Sequence, residues 1–260
     1  MCFYLIMKKI MNFDIILACL WIFLGELYGN FVWGGSLVTQ IFLQNIIWFD
    51  IKSAIALDNA AVLWSELGLI AMLLKNNKIE KWMWVLVGVS IIWALIWANL
   101  LSIIPANMMK ILFTIAIICI VLKNFFPSKQ AKPSDFIVTK KSLLFLSLAI
   151  LFIAVYNAFL SIWDFLIGLL ILTSVFHFPY HRALFLITFV CVFTRAVASA
   201  EYFRLWLIDV DFYTPMFITA LIAGLIAGYF VQKIHNDILN KILKYLSIFL
   251  AFYLVIDILL

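Results

Sequence analysis

Five ionisable side chains stand inside apolar runs of this sequence: Glu26, Asp58, Glu66, Asp164 and Arg195. A charge within a bilayer is costly, so such residues point to function by default. Arg195 sits in Phe193-Thr194-Arg195-Ala196, well inside its run. Its planar guanidinium can meet two oxygens of a sulfonate or a carboxylate at once. The expectation is that Arg195 pairs with an acid, Asp164 or Asp58, and binds an anion when that pair opens. The plain alternative is a permanent pair that ties two helices together. Asp58 and Glu66 are eight residues apart, about two helical turns on roughly one face. Together they could carry protons, as buried acids do in transporters. The alternative is two acids held by hydrogen bonds to serine or backbone.

A second group of residues marks breaks in the apolar runs. The run from Phe13 to Val32 ends at Trp33-Gly34-Gly35-Ser36 and then resumes. Lipid cannot satisfy backbone polar groups exposed at such a break, so they must face protein or a wet cavity. Gly34, Gly35, Ser36 and Thr39 could present amides and hydroxyls at the start of a short helix, where the helix dipole attracts anions. Glycines also simply allow helices to pack closely. Asn59, beside Asp58, belongs to the same candidate site. Trp163 and Asp164 mark a second break, with Trp163 in a position near-equivalent to Trp33. His177 and His181 have a spacing that suits a metal on a helix, but Pro179 lies between them and disrupts a regular helix. Neither they nor Cys2, Cys19, Cys119 and Cys191 form a metal or disulfide pattern. No cofactor or metal is expected.

These residues need a membrane scaffold to position them. The 260 residues are 67% hydrophobic and 12% charged, more apolar surface than a soluble domain can hide. The net charge of +5 sits in loops between apolar runs, which speaks for a positive-inside bias rather than for nucleic acid. The fold expected is an all-α polytopic membrane protein of about eight transmembrane helices, in two four-helix repeats with broken or half-helices. The spans are 13–33, 54–74, 82–104, 107–123, 142–163, 182–200, 212–231 and 242–259. Two pieces, 36–49 and 165–178, are too short to cross comfortably.

The chain divides into a first repeat (1–123), a basic cytoplasmic linker (124–141) and a second repeat (142–260). Tyr28 and Phe31 align with Tyr156 and Phe159 at an offset of 128, and Ala54 with Ala183 at 129. Four spans per half imply a parallel repeat with its axis along the membrane normal; an odd number would invert it. Placing the basic links 75–81 and 123–141 inside puts the N-terminus, the C-terminus and Arg204 inside as well. Lys52, Lys110, Arg182, Lys233, Lys241 and Lys244 then fall outside.

With Trp33-Gly34-Gly35-Ser36-Leu37-Val38-Thr39 and Ala54-Ile55-Ala56-Leu57-Asp58-Asn59, the chain resembles the sulfite exporter TauE/SafE family of membrane permeases. That family opens each half with a glycine-rich break, followed by small polar residues on the next helix. The second half offers Ser161-Ile162-Trp163-Asp164 and His181-Arg182-Ala183-Leu184, and its closing span carries Gly224 and Gly228. Gln40 stands where a proline is usual, Leu57 where a threonine is, and Trp163 and Asp164 where glycines are. These departures point to a smaller, more acidic cavity.

The resemblance implies a permease for a small anion such as sulfite or an organosulfonate, not an enzyme. It would work by alternating access in a bacterial inner membrane. Its partners would be the anion, lipid and, through Asp58 and Glu66, protons; an oligomer is compatible with the sequence. The alternatives are a membrane-embedded redox or metal enzyme subunit and a non-transporting assembly partner.

Overall fold

The computed structural model describes residues 2–32, 35–105, 108, 139–160, 168–169, 171–172, 176 and 178–233. Among them are seven helices and no strand: α1 (Cys2–Val32), α2 (Gly35–Asn45), α3 (Ile51–Leu73), α4 (Met83–Ile103), α5 (Lys140–Leu160), α6 (Tyr180–Arg204) and α7 (Val210–Val231). Five segments are long and apolar enough to cross a bilayer: Phe13–Asn30, Ile51–Leu73, Met83–Ile103, His181–Arg204 and Val210–Val231. The chain is an all-α, multi-pass membrane protein. The expected spans 107–123 and 242–259, and the linker up to residue 138, lie outside the described residues.

Polar caps start two of the spanning helices. The Asp50 carboxylate accepts from the backbone N–H groups of Lys52 (2.9 Å) and Ser53 (3.2 Å) ahead of α3. Asp209 accepts from those of Asp211 (2.9 Å) and Phe212 (3.3 Å) ahead of α7. Each such cap stabilises its helix by about 1 kcal/mol.

Contacts between helix ends fix the direction of each span. Lys52 Nζ donates to the Ser102 carbonyl at 2.7 Å, so α3 starts and α4 ends on one face of the bundle. Gln232 Nε2 donates to the Met72 carbonyl (3.0 Å), and Asn76 Nδ2 donates to Gln232 Oε1 (2.9 Å). The ends of α3 and α7 therefore share the second face. Arg182 is ion-paired with Glu80 at 2.7 Å, which puts the start of α6 on the second face too. Arg204 donates to Asn99 Oδ1 at 2.7 Å, which puts its end on the first. Helix α6 thus runs opposite to α3, and α7 opposite to α4.

That arrangement corrects the expected topology. Arg182 cannot lie outside while Glu80 and its lysine neighbours lie inside, and Arg204 belongs with Asn99 and Lys52. The helices meant to match as a parallel repeat are antiparallel. The cause is the first apolar run, which does not cross. Helices α1 and α2 fold back on each other as a tight hairpin. Trp21 stacks on Phe42 at 4.9 Å, and a Cβ placed on Gly35 would lie 2.1 Å from the Gly25 carbonyl oxygen. Helix α2 has eleven residues, about 16 Å, half a bilayer. The chain therefore enters from the first face and returns to it at Asp50. The segment 13–33 is long enough to span, and length alone cannot tell a crossing from a deep return. The start of α1 consequently shares the face of Lys52 rather than opposing it.

Two apolar layers fill the interior. The first joins Ala18, Ile22, Leu43, Ile51–Ala61 residues of α3, and Ala198, Tyr202 and Met216. The second joins Leu69, Leu73, Met83, Leu86, Leu146, Ile150, residues 183–187 and Val231. On α3 the first layer ends at Ala61 and the second begins at Leu69; on α6 the second ends at Cys191 and the first begins at Ala198. Ser65, Glu66, Thr194 and Arg195 fall in that gap, near the middle of the bundle.

The turns into α3 and α6 are built alike. Ile47 N–H donates to Phe42 O (3.3 Å) and Phe49 N–H to Leu43 O (3.0 Å). Phe176 N–H donates to Ile171 O (3.2 Å) and Phe178 N–H to Leu172 O (2.9 Å), each partner 129 residues later. Of the short piece 165–178, most residues lie outside the described set.

Candidate anion site at the crossing of α3 and α6

The centre of the site is an ion pair. Arg195 Nε donates to Glu66 Oε1 at 2.9 Å, and the two side chains are 2% and 3% exposed. Two full charges at this depth persist because each neutralises the other; either one alone would be strongly unfavourable. Glu66 is thus a partner of Arg195, which the sequence reading had not paired with it; the expected pairing with Asp164 falls outside the described residues. The antiparallel crossing explains this: it brings the middle of α3 to the middle of α6, and Glu66 and Arg195 fill the same gap between apolar layers. Asp164 lies outside the described residues. Asp58 is two turns away on α3, about 12 Å along the axis, and accepts from Gln40 Nε2 at 3.0 Å.

The hairpin of α1 and α2 brings further polar groups to this level. Asn30 Nδ2 donates to Ser65 Oγ on α3 at 2.7 Å and to the Glu26 carbonyl at 2.7 Å. Asn30 thereby fastens the hairpin tip beside Glu66. Thr39 Oγ1 donates to the Gly35 carbonyl at 3.2 Å. Gly35, Ser36 and Thr39 are all buried, and Gly35 lies against Gly25 and Gly29 so closely that no side chain fits. Close packing of the two arms is thus one role these glycines perform. Asn59 is fully buried on α3 next to Asp58. Gly34, Trp163 and Asp164 lie outside the described residues.

The structure gathers Asp58, Asn59, Glu66 and Arg195 on two crossing helices, with Gly35, Ser36 and Thr39 on the adjacent hairpin arm. Asn30 and Ser65 are additional members that the sequence reading did not single out. Their signal was a polar residue in an otherwise apolar run, which is weak because serine and asparagine also occur singly in membrane helices. Gln40 was visible only as a departure from a family pattern. Its role as the hydrogen-bond donor to Asp58 needed the fold. Among the described residues, no three of His, Cys, Asp and Glu come together as a metal site.

Chemically, the arrangement offers one guanidinium paired with the Glu66 carboxylate, a second carboxylate at Asp58, and a fringe of amides and hydroxyls. That set suits a small anion with several oxygens. No curated protein and no solved structure matches the chain. The family described as sulfite exporter TauE/SafE matches residues 17–254, nearly the whole length and all of the helices that build the site. A multi-pass apolar bundle with a buried arginine at its centre accords with that match, and the chain belongs to the TauE/SafE sulfite exporter family of membrane transporters.

Proposed function

We propose that this protein is a secondary exporter of a small anion, sulfite or an organosulfonate, in the inner membrane of a bacterium, with Arg195 as the anion-binding group. The observation that carries it is the fully buried Arg195–Glu66 pair in the gap between the apolar layers. Family membership supplies the substrate class. It also speaks for a transporter rather than an enzyme.

The two halves, 1–123 and 142–260, are related by inverted topology. Support comes from the antiparallel course of α3 and α6, from that of α4 and α7, and from the matching turns 129 residues apart. The same offset carries Glu66 onto Arg195. Alternating access would rock one half against the other about this midplane pair, as inverted repeats do. The second face carries Lys75, Lys78, Lys81, Arg182 and Lys233, against Lys8, Lys9, Lys52 and Arg204 on the first, a small excess that favours a cytoplasmic second face by the positive-inside rule. The first turn of α2, with Ser36 and Thr39, and Asn59 on α3 line the anion's route. Asp58 and Glu66 couple the movement to protons.

The test is flux through purified protein in proteoliposomes, with sulfite, sulfoacetate, taurine, ethanesulfonate and plain carboxylates offered in turn while internal pH is recorded. Saturable flux of one anion, lost in Gly35→Leu and Arg195→Gln, supports the proposal. Absence of flux for every anion, or co-purification with a second chain that alone restores it, would sink it.

A further inference from the structure

Arg195 already holds an anion, the protein's own Glu66 carboxylate. We infer that Glu66 is the exchange partner of the transported anion: it takes up one proton, lets go of Arg195, and the anion takes its place. The inference rests on the reading that Arg195 binds the substrate anion, and it adds the residue and the stoichiometry of coupling.

Charge balance carries the argument. The Glu66 carboxylate and the Arg195 guanidinium, bonded at 2.9 Å and almost wholly buried, sum to zero. An anion entering alone would leave a net negative charge between two apolar layers, where an uncompensated charge is expensive. An anion entering with a proton leaves the sum at zero. Arg195⁺·Glu66⁻ plus H⁺ plus A⁻ becomes Arg195⁺·A⁻ plus neutral Glu66. The proton goes onto a Glu66 carboxylate oxygen, the hydrogen bond from Arg195 Nε passes to an oxygen of the anion, and no other bond changes. Release reverses each event.

Among the described residues, Glu66 is the carboxylate hydrogen-bonded to Arg195 and so is placed for this exchange. On α3 the other acid, Asp58, accepts from Gln40 two turns away. Helix α1 contributes Glu26 and Tyr28 near the hairpin tip, and α6 contributes Tyr202 and Cys191. Helices α2 and α4 contain no titratable side chain, and α7 has none between Tyr213 and Tyr229. The pair also ties α3, in the first half, to α6, in the second. Exchanging the Glu66 end for a free anion therefore loads the site and unfastens the halves in one event.

The experiment is calorimetric binding of sulfite, sulfoacetate and ethanesulfonate to the full-length protein in lipid nanodiscs. Two buffers of different ionisation heat count the protons taken up, with sulfite's own titration subtracted. The expected result is one proton per anion in the wild type, so that affinity weakens about tenfold per pH unit as pH rises. Glu66→Gln should bind with no proton uptake, at a pH-independent affinity at least equal to the best wild-type value. The double variant Glu66→Gln/Arg195→Gln, which removes both charges of the pair, should fold and bind nothing. Proton uptake that persists in Glu66→Gln, with binding still lost in the double variant, overturns the inference and leaves the Arg195 reading standing. If Glu66→Gln does not fold, Glu66→Asp serves instead: it should keep the one-proton slope but move the pH below which affinity levels off, and a levelling-off that does not move overturns the inference equally. Binding that survives in the double variant, or absent from the wild type for all three anions, overturns the Arg195 reading and the inference with it.

Discussion

Helices α3 and α7 meet backbone to backbone, whereas α4 and α6 meet ring to ring. A Cβ on Gly224 would lie 1.9 Å from the Ser65 carbonyl oxygen, and one on Gly68 would lie 2.6 Å from that of Leu221. At the first-face end of this contact, Trp64 Nε1 donates to Tyr213 Oη at 2.6 Å. On the other side, Trp84 meets Phe189 and Phe193 edge-on, both at 5.3 Å between ring centres. The two contacts occupy corresponding places: 129 residues separate Trp64 from Phe193 and Trp84 from Tyr213. In the same register, Gly224 answers to Leu95 and Gly228 to Asn99.

The difference teaches which side of the bundle yields. Backbones in contact have no side chain to rearrange, so α3 and α7 move together or not at all. Rings in edge contact can slide by small rotations, because an aromatic pair adds only about 0.5–1.5 kcal/mol beyond its buried area. The Arg195–Glu66 pair spans the two regimes, with Glu66 on the rigid contact and Arg195 on the pliant one. If one half rocks against the other, the movement would therefore be taken up on the α4–α6 side, with the α3–α7 contact as its pivot.

The largest effect is expected from breaking the rigid contact. Gly224→Leu forces a branched chain into the Ser65 carbonyl and should cost more than about 5 kcal/mol; no folded monomer should survive size-exclusion chromatography. Next is Glu66→Ala, which breaks the buried pair with Arg195 and should cost about 3–5 kcal/mol, seen as a large drop in melting temperature. Removing both charges together should recover most of that loss. Trp64→Phe keeps the ring and deletes the bond to Tyr213, for a loss of about 1 kcal/mol. The smallest change has the opposite sign. Gly88 on α4 has no atom within 4 Å of where its Cβ would be, so Gly88→Ala should stabilise by about 0.5–1 kcal/mol. If Gly88→Ala and Gly224→Ala shifted the melting temperature alike, the contrast between the two contacts would fail.

Much of this was written in the sequence, and the misses have physical causes. Charged residues stand out against an apolar background, so Asp58, Glu66 and Arg195 were visible as candidates, and the short helix after Trp33 showed itself by its glycines. The offset that aligned Ala54 with Ala183 also aligns Glu66 with Arg195, yet a match in sequence does not say that two residues touch until the arrangement of the halves is known. The antiparallel course of α3 and α6 was hidden because a deep hairpin and a crossing helix have the same length and hydropathy up to the tip. The Gly25–Gly35 approach, made by residues ten apart, and the Trp21–Phe42 stack show that the chain turns back. Asn30 and Ser65 stayed hidden because a hydrogen bond across 35 residues leaves no local pattern.

Two exposed tryptophans complete the picture of the first face. Trp48 and Trp206 adopt left-handed backbone (φ 65° and 58°) and are 83% and 93% exposed. After α6, Leu207 N–H donates to Tyr202 O and Trp206 N–H to Phe203 O, a helix-ending turn that usually places glycine where Trp206 stands. Both rings sit at chain reversals on the same face, where tryptophan anchors helices at the lipid–water boundary.

The most direct test of the central claim is the initial rate of sulfite flux through Arg195→Gln in proteoliposomes, expressed per folded molecule and set against wild type under the same pH gradient. The expected result is a rate indistinguishable from protein-free liposomes, with Arg195→Lys retaining a small part of the wild-type rate. A wild-type rate in Arg195→Gln would contradict the placement of the anion at the α3–α6 crossing and reduce the buried pair to a fastening between helices.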